Sequence, residues 1–156
     1  IALFPFVSPG NAGARASGAE PVLLVRSFYV VDFDEETIPL SRRLKALRDR
    51  AEAVSLQFKR PVAGLMHEWI LGPQDPDNPA ADGWQKSARV IERARSTRNA
   101  TVIVTFRMRS DKRNRDEVRF SMLKENDHWV VDNIHYRSGG ETLSELLRAG
   151  ARGERN

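Results

Sequence analysis

The sequence predicts an α+β fold, with helices in the first half packed on a curved antiparallel sheet of about four strands and a short C-terminal helix after it. Three patterns lead to this. Leu44, Leu47, Ala51, Val54 and Phe58 recur at steps of three or four with charges between them, the stripe of an amphipathic helix. Ala100, Val102, Val104, Phe106 and Met108 alternate with Thr101, Ile103, Thr105, Arg107 and Arg109, the period of a strand with one dry face. The alternation resumes at Val118, Phe120 and Met122, and again over His128 to Tyr136.

Pro21 to Phe33 opens the ordered chain. Val22, Val25 and Tyr29 share helical spacing, as do Leu24, Phe28 and Val31, and proline suits the first position of a helix. The β-branched content leaves a strand open there, but a buried helix fits better, ended by Asp32 and Asp34 to Glu36. Ser41 is placed to cap the amphipathic helix, and Pro61 closes it. Leu65, Met66, Trp69, Ile70 and Leu71 make a short apolar element. Gly72 to Pro79 is a loop of turn-forming residues. The first strand is expected near Ala88 to Ser96, followed by a turn at Thr97 to Asn99. Ser110 to Asp116 and Glu125 to Asp127 are further turns. In the fourth strand the polar pair Asp132-Asn133 marks a bulge before Ile134. Thr142 to Glu145 reads as a capping box, Leu143, Leu146 and Leu147 as the apolar stripe of the last helix, and Gly150 as its end.

Residues 1–16 read as the remnant of an export signal. The apolar run Ile1 to Val7 precedes small, turn-prone residues, and Ala14-Arg15-Ala16 has the form of a cleavage site. The expected division is therefore a signal remnant at 1–16, one domain at 17–150 and a flexible tail at 151–156, with a periplasmic or secreted location.

Composition excludes several chemistries. Without cysteine there are no disulfides, thiolate metal sites or cysteine nucleophiles. The net charge is +4, and arginine supplies 20 of the 25 basic residues, a side chain suited to carboxylate and phosphate contacts. Arg89, Arg93, Arg95, Arg98, Arg107, Arg109, Lys112, Arg113, Arg115 and Arg119 could line one strip of the sheet. Acidic neighbours and scarce exposed aromatics favour cross-strand ion pairs there over a nucleic-acid surface.

His67-Glu68 starts like a zinc-protease motif but Leu71 replaces the second histidine. Asp75, Asp77, Asn78 and Asp82 fail the calcium-loop pattern at Pro79 and Ala80. Asp132 and His135 could meet as an acid–base pair only if the strand is bulged, because residues three apart on a regular strand face opposite ways. Tyr29, Trp69, Trp84 and Trp129 are core aromatics first, with Tyr29 and Trp84 the best placed to line a pocket.

Trp69 to Pro73 followed by Gln74-Asp75, then Trp129 to Ile134, Gly139-Gly140 and Leu143 to Leu147, behind a Phe28-Tyr29 helix and a Ser41-x-x-Leu44-x-x-Leu47 helix, form a series over Val22 to Leu147. It resembles the exported bacterial family of domain of unknown function 3828, of the nuclear transport factor 2-like superfamily. The resemblance implies a cone of curved sheet wrapped on helices and an exported location. Where that family often has an aspartate, this chain has His67-Glu68-Trp69.

The expected function is a non-catalytic exported binding or interaction module, with a pocket enzyme or a polyanion-binding domain as alternatives. Candidate ligand-binding residues are Tyr29, Gln74, Asp75, Trp84, Asp132 and His135. No catalytic residue, metal or cofactor is assigned. The partner is expected to be a protein or small ligand rather than nucleic acid, no transmembrane segment is expected, and a homodimer is left open.

Overall fold

A computed structural model describes residues 20–30, 33–65, 69–71, 84–107 and 115–155, with the backbone alone for Trp84 and Gln85. Residues 1–16, Met66 to Glu68, the loop with Gln74 and Asp75, and Met108 to Asn114 lie outside the described residues.

Helix α1 spans Pro21–Phe28, helix α2 Arg42–Phe58 and helix α3 Leu143–Ala151. Strands β1 (Arg89–Arg95), β2 (Asn99–Phe106), β3 (Asp116–Glu125) and β4 (His128–Tyr136) form one antiparallel meander in the order β1-β2-β3-β4. The fold is α+β, as the sequence predicts, and the sheet is curved. Arg95 on β1 lies 5.8 Å from the ring centroid of Trp129 on β4. Both side chains lie on the concave face, where they meet across the sheet.

The alternation sorts side chains as the sequence implies. Ala100, Val102, Val104 and Phe106 of β2, and Val118, Phe120 and Met122 of β3, point into the core with Val25, Phe28 and Leu44. Phe120 stacks against Phe28 and Tyr29, with ring centroids 5.9 and 6.3 Å apart. Helix α1 is shorter than Pro21 to Phe33, ending where Tyr29 turns inward and its hydroxyl donates to the Ile70 carbonyl at 2.6 Å. Helix α2 begins at its expected cap. Ser41 Oγ accepts from Leu44 N at 3.1 Å, and Leu44 and Ala51 are buried while Phe58 at the far end is half exposed. Its last turn stops in a left-handed Lys59, two residues before Pro61.

The bulge falls at Asp132-Asn133. Met122 pairs with Val131 but Ser121 pairs with Asn133, which leaves Asp132 as the extra residue. That insertion changes the phase of β4. Trp129 and Val131 face the core before it, and Ile134 and Tyr136 face the core after it.

Gly150 does not end α3. It lies inside the helix, where a Cβ would sit 2.2 Å from the Ala63 carbonyl oxygen, so glycine is present for close approach. The positive-φ position is Gly153, whose N–H donates to Gly150 O. The segment expected to form a flexible tail is described through Arg155 and packed on the body. Ala63 N donates to Glu154 O at 3.0 Å, and Arg60 donates to Gly153 O at 3.0 Å. No helix among the described residues is long and apolar enough to cross a membrane.

Substituting Gly150→Ala should lower stability by about 1–3 kcal/mol, the usual cost of overpacking a filled interior. A urea midpoint equal to that of the parent chain would show that α3 does not pack as closely as described.

Candidate functional site: a cation-lined groove

At one end of the sheet three segments finish side by side. A 3-10 turn, Trp84–Ser87, leads into β1 and crosses the end of β2. Ser87 Oγ accepts from Arg107 N at 2.8 Å and donates to Arg107 O at 3.2 Å, which fixes the turn against the strand. Arg89 pairs with Thr105, and Phe106 pairs with Asp116, so Arg115 enters β3 beside the exit of β2. Between them lies a groove of about 450 Å³ lined by Lys86, Ser87, Arg89, Thr105, Arg107 and Arg115. That volume falls within the few hundred to about 1,000 Å³ typical of small-molecule sites.

The groove's charge has one sign. Lys86, Arg89, Arg107 and Arg115 are all exposed, and none makes an ion pair among the described residues. The sequence led us to expect cross-strand ion pairs along the whole basic strip. Arg95 and Arg119 do pair with acids, on their own strands or from Glu20. At the groove no pair forms among the described residues, for a local reason. The outward positions of β2 opposite β1 are Thr101, Ile103 and Thr105, which offer no carboxylate. Among the described residues, the acids that follow Arg115 have other partners: Glu117 pairs with Arg119 at 3.3 Å, and Asp116 accepts from Ser138 Oγ at 2.8 and 2.7 Å.

A second groove of about 280 Å³ is lined by Glu35, Glu36, Arg48, Glu52, Leu65 and Trp69. Its charge is net negative, with three carboxylates and one guanidinium. Arg48 Nε lies 3.2 Å from Glu52 Oε1, an ion pair without hydrogen-bond alignment, and Glu35 accepts from Trp69 N and Ile70 N at 3.1 Å. Glu35 thus acts as a clasp for the backbone of the 69–71 turn.

The residues singled out from sequence are dispersed. Asp132 accepts from Ser41 Oγ at 2.7 Å and from Arg43 Nε and Nη2 at 3.2 and 3.0 Å. His135 Nε2 is hydrogen-bonded to Ser121 Oγ at 3.1 Å on the outer face. No hydrogen bond joins Asp132 to His135, even though the bulge that could have aligned them is present. Tyr29 is buried among Phe106, Phe120 and Ile70 and lines neither groove. Its hydroxyl titrates well above the usual tyrosine value, chiefly through burial and then through Tyr136, Glu35 and Asp116. Trp84 begins the 3-10 turn that leads to the cationic groove. Gln74 and Asp75 lie outside the described residues. Sequence reasoning had Arg89, Arg107 and Arg115 in its basic strip. It missed their convergence with Lys86, which only the Ser87–Arg107 contact brings to the same place.

Compared with family models, curated proteins and solved structures, the chain matches none.

Burial, and secondarily Arg119, lower the pKa of His135 below the ordinary 6.5, while Glu145 opposes them. The folded chain thus prefers the neutral ring. The resulting stability is present above the ordinary histidine pKa and is lost as pH falls through the folded value. A proton NMR titration should find His135 below 6.5 in the parent chain and closer to it in Arg119→Gln. A midpoint at or above 6.5, unmoved by that change, would contradict this environment.

Proposed function

We propose that this domain is a non-catalytic binding module whose ligand is anionic and is held in the groove of Lys86, Arg89, Arg107 and Arg115. The observation that carries the reading is the four cations around one groove, uncompensated among the described residues. Clustered like charges raise one another's energy, and that energy is recovered when an anion binds. Arginine guanidinium groups suit carboxylate and phosphate oxygens in particular. The groove is open to solvent, so the attraction is screened by salt.

The enzyme reading loses its main support. It rests on Asp132 acting with His135, or on Asp75; Asp132 and His135 each have a different partner, and Asp75 lies outside the described residues. Asp132 in particular is occupied in holding the start of α2.

The exported family and its superfamily stay part of the proposal on the strength of the motif series over Val22 to Leu147. A periplasmic or secreted location follows from the apolar run and small-residue site in residues 1–16. An acidic partner protein or a small polyanion both fit such a setting.

Calorimetric titration with tripolyphosphate tests the groove. The double variant Arg107→Glu/Arg115→Glu should weaken binding by at least about tenfold, or 1.4 kcal/mol. Arg50→Glu, an exposed α2 position away from the groove, should leave it within about twofold. The double variant changes the charge by −4 and Arg50→Glu by −2. A free-energy loss in Arg50→Glu about half that of the double variant would therefore mean that the chain attracts anions through net charge alone.

A further inference from the structure

The two edges of the sheet are treated differently by the chain. Along β4 the edge is covered. Val131 N donates to Pro39 O at 2.7 Å, Ser41 N donates to Val131 O at 2.8 Å, and Tyr136 N donates to Glu141 O at 3.0 Å. Leu40 and Thr142 form bridges to Val131 and His135. Along β1 no such cover exists among the described residues. Beyond its ladder with β2, β1 makes no backbone hydrogen bond among the described residues, and six of its seven residues are exposed. An open edge of this kind presents a row of unpaired N–H and C=O groups.

The side chains beside that edge define what could pair with it. Arg89 and Arg93 on β1, Arg98 in the following turn and Lys86 just before the strand are exposed and make no ion pair among the described residues. Arg93 is the extra residue of a bulge between Glu92 and Ala94. Glu92, the one acid of β1, faces Arg95, which also pairs with Glu20. From Arg89 to Arg95 the strand covers about 20 Å at roughly 3.3 Å per residue, and free cations flank the whole length. Ile91 is half exposed between them.

We propose that β1 is a docking edge for an extended acidic polypeptide segment, which adds as a fifth strand and sets its carboxylates against Arg89, Arg93 and Arg98. The proposal rests on the anion-binding reading of the adjoining groove, since Arg89 belongs to both, and names the partner class. Charge complementarity selects this occupant. A second copy of the chain would bring a strand with three arginines and one glutamate against its own like, with Arg facing Arg when the strands run antiparallel around Glu92. A nucleic acid or sulfated glycan would satisfy the cations but leave the ladder groups of β1 unpaired. A peptide strand supplies both the charges and the main-chain partners.

The test uses a labelled decapeptide of alternating glutamate and valine, read by fluorescence anisotropy, with the full chain. Three comparisons separate the terms. N-methylation of the peptide at alternate residues keeps its charge and removes its ladder donors, and should weaken binding by about tenfold or more. Replacing its glutamates with lysines should abolish binding. Arg93→Glu should weaken the decapeptide by a similar factor while tripolyphosphate binding at the groove stays unchanged. Equal binding of the N-methylated and parent peptides would overturn the strand-addition proposal while leaving an anion-binding groove. Binding of the decapeptide with loss on N-methylation, but no tripolyphosphate binding, would sustain this proposal and sink the groove. A concentration-dependent dimer in sedimentation that the decapeptide does not disperse would also overturn it, because a second copy would then hold the edge.

Discussion

One additional residue in β4 connects every layer of this molecule. Asp132 is inserted between two correctly paired neighbours, and the two polar side chains at the insertion reach in different directions to the starts of two helices. Asp132 accepts from the Ser41 hydroxyl, and that hydroxyl in turn caps Leu44 N at the start of α2. Asn133 Oδ1 accepts from Ser144 N in the first turn of α3 and from Ile134 N. Helix starts carry unpaired amide groups, and a side-chain cap is typically worth about 1 kcal/mol. The bulge therefore serves as a shared anchor for two helices that also pack on one another. It also sets the phase that turns Ile134 and Tyr136 inward, so loss of the extra residue would turn those two side chains out of the core.

The functional asymmetry follows from the same geometry. Because α2 and α3 begin against β4, the segments just before them, Pro39 to Ser41 and Glu141 to Thr142, lie along that edge and satisfy its backbone. Nothing comparable reaches β1 among the described residues. The far side of the sheet is left with an open edge, exposed arginines and the end at which the groove forms. The proposed groove and docking edge thus lie away from the backbone contacts that cover β4, while Asp132, the most chemically promising acid in the sequence, is used by the architecture.

Much of the fold was legible because its signals are local. The α2 stripe, the Ser41 cap, the capping box at Thr142 and Glu145, and the alternation in β2 and β3 each depend on neighbours within a few residues. Even the bulge showed itself, since two adjacent polar residues interrupt an otherwise regular alternation. Gly150 was misread because close approach to Ala63 is a tertiary fact with no local trace. The site was less legible for the same reason. Asp132 and His135 look like an acid–base pair on paper, but their partners, Ser41 and Ser121, lie 91 and 14 residues away in sequence. The basic strip was visible as composition, while its lack of acidic partners depended on which residues β2 sets opposite β1.

Native-state hydrogen exchange in two single variants tests the anchor most directly. Asp132→Ala should speed exchange at Leu44 N in the first turn of α2, and Asn133→Ala should do so at Ser144 N in the first turn of α3. In each case the other helix start and the central amides of β2 and β3 should keep their protection. If both variants exchange like the parent chain at those two amides, or if both lose protection uniformly across the sheet, the bulge is not the separate anchor of the two helices.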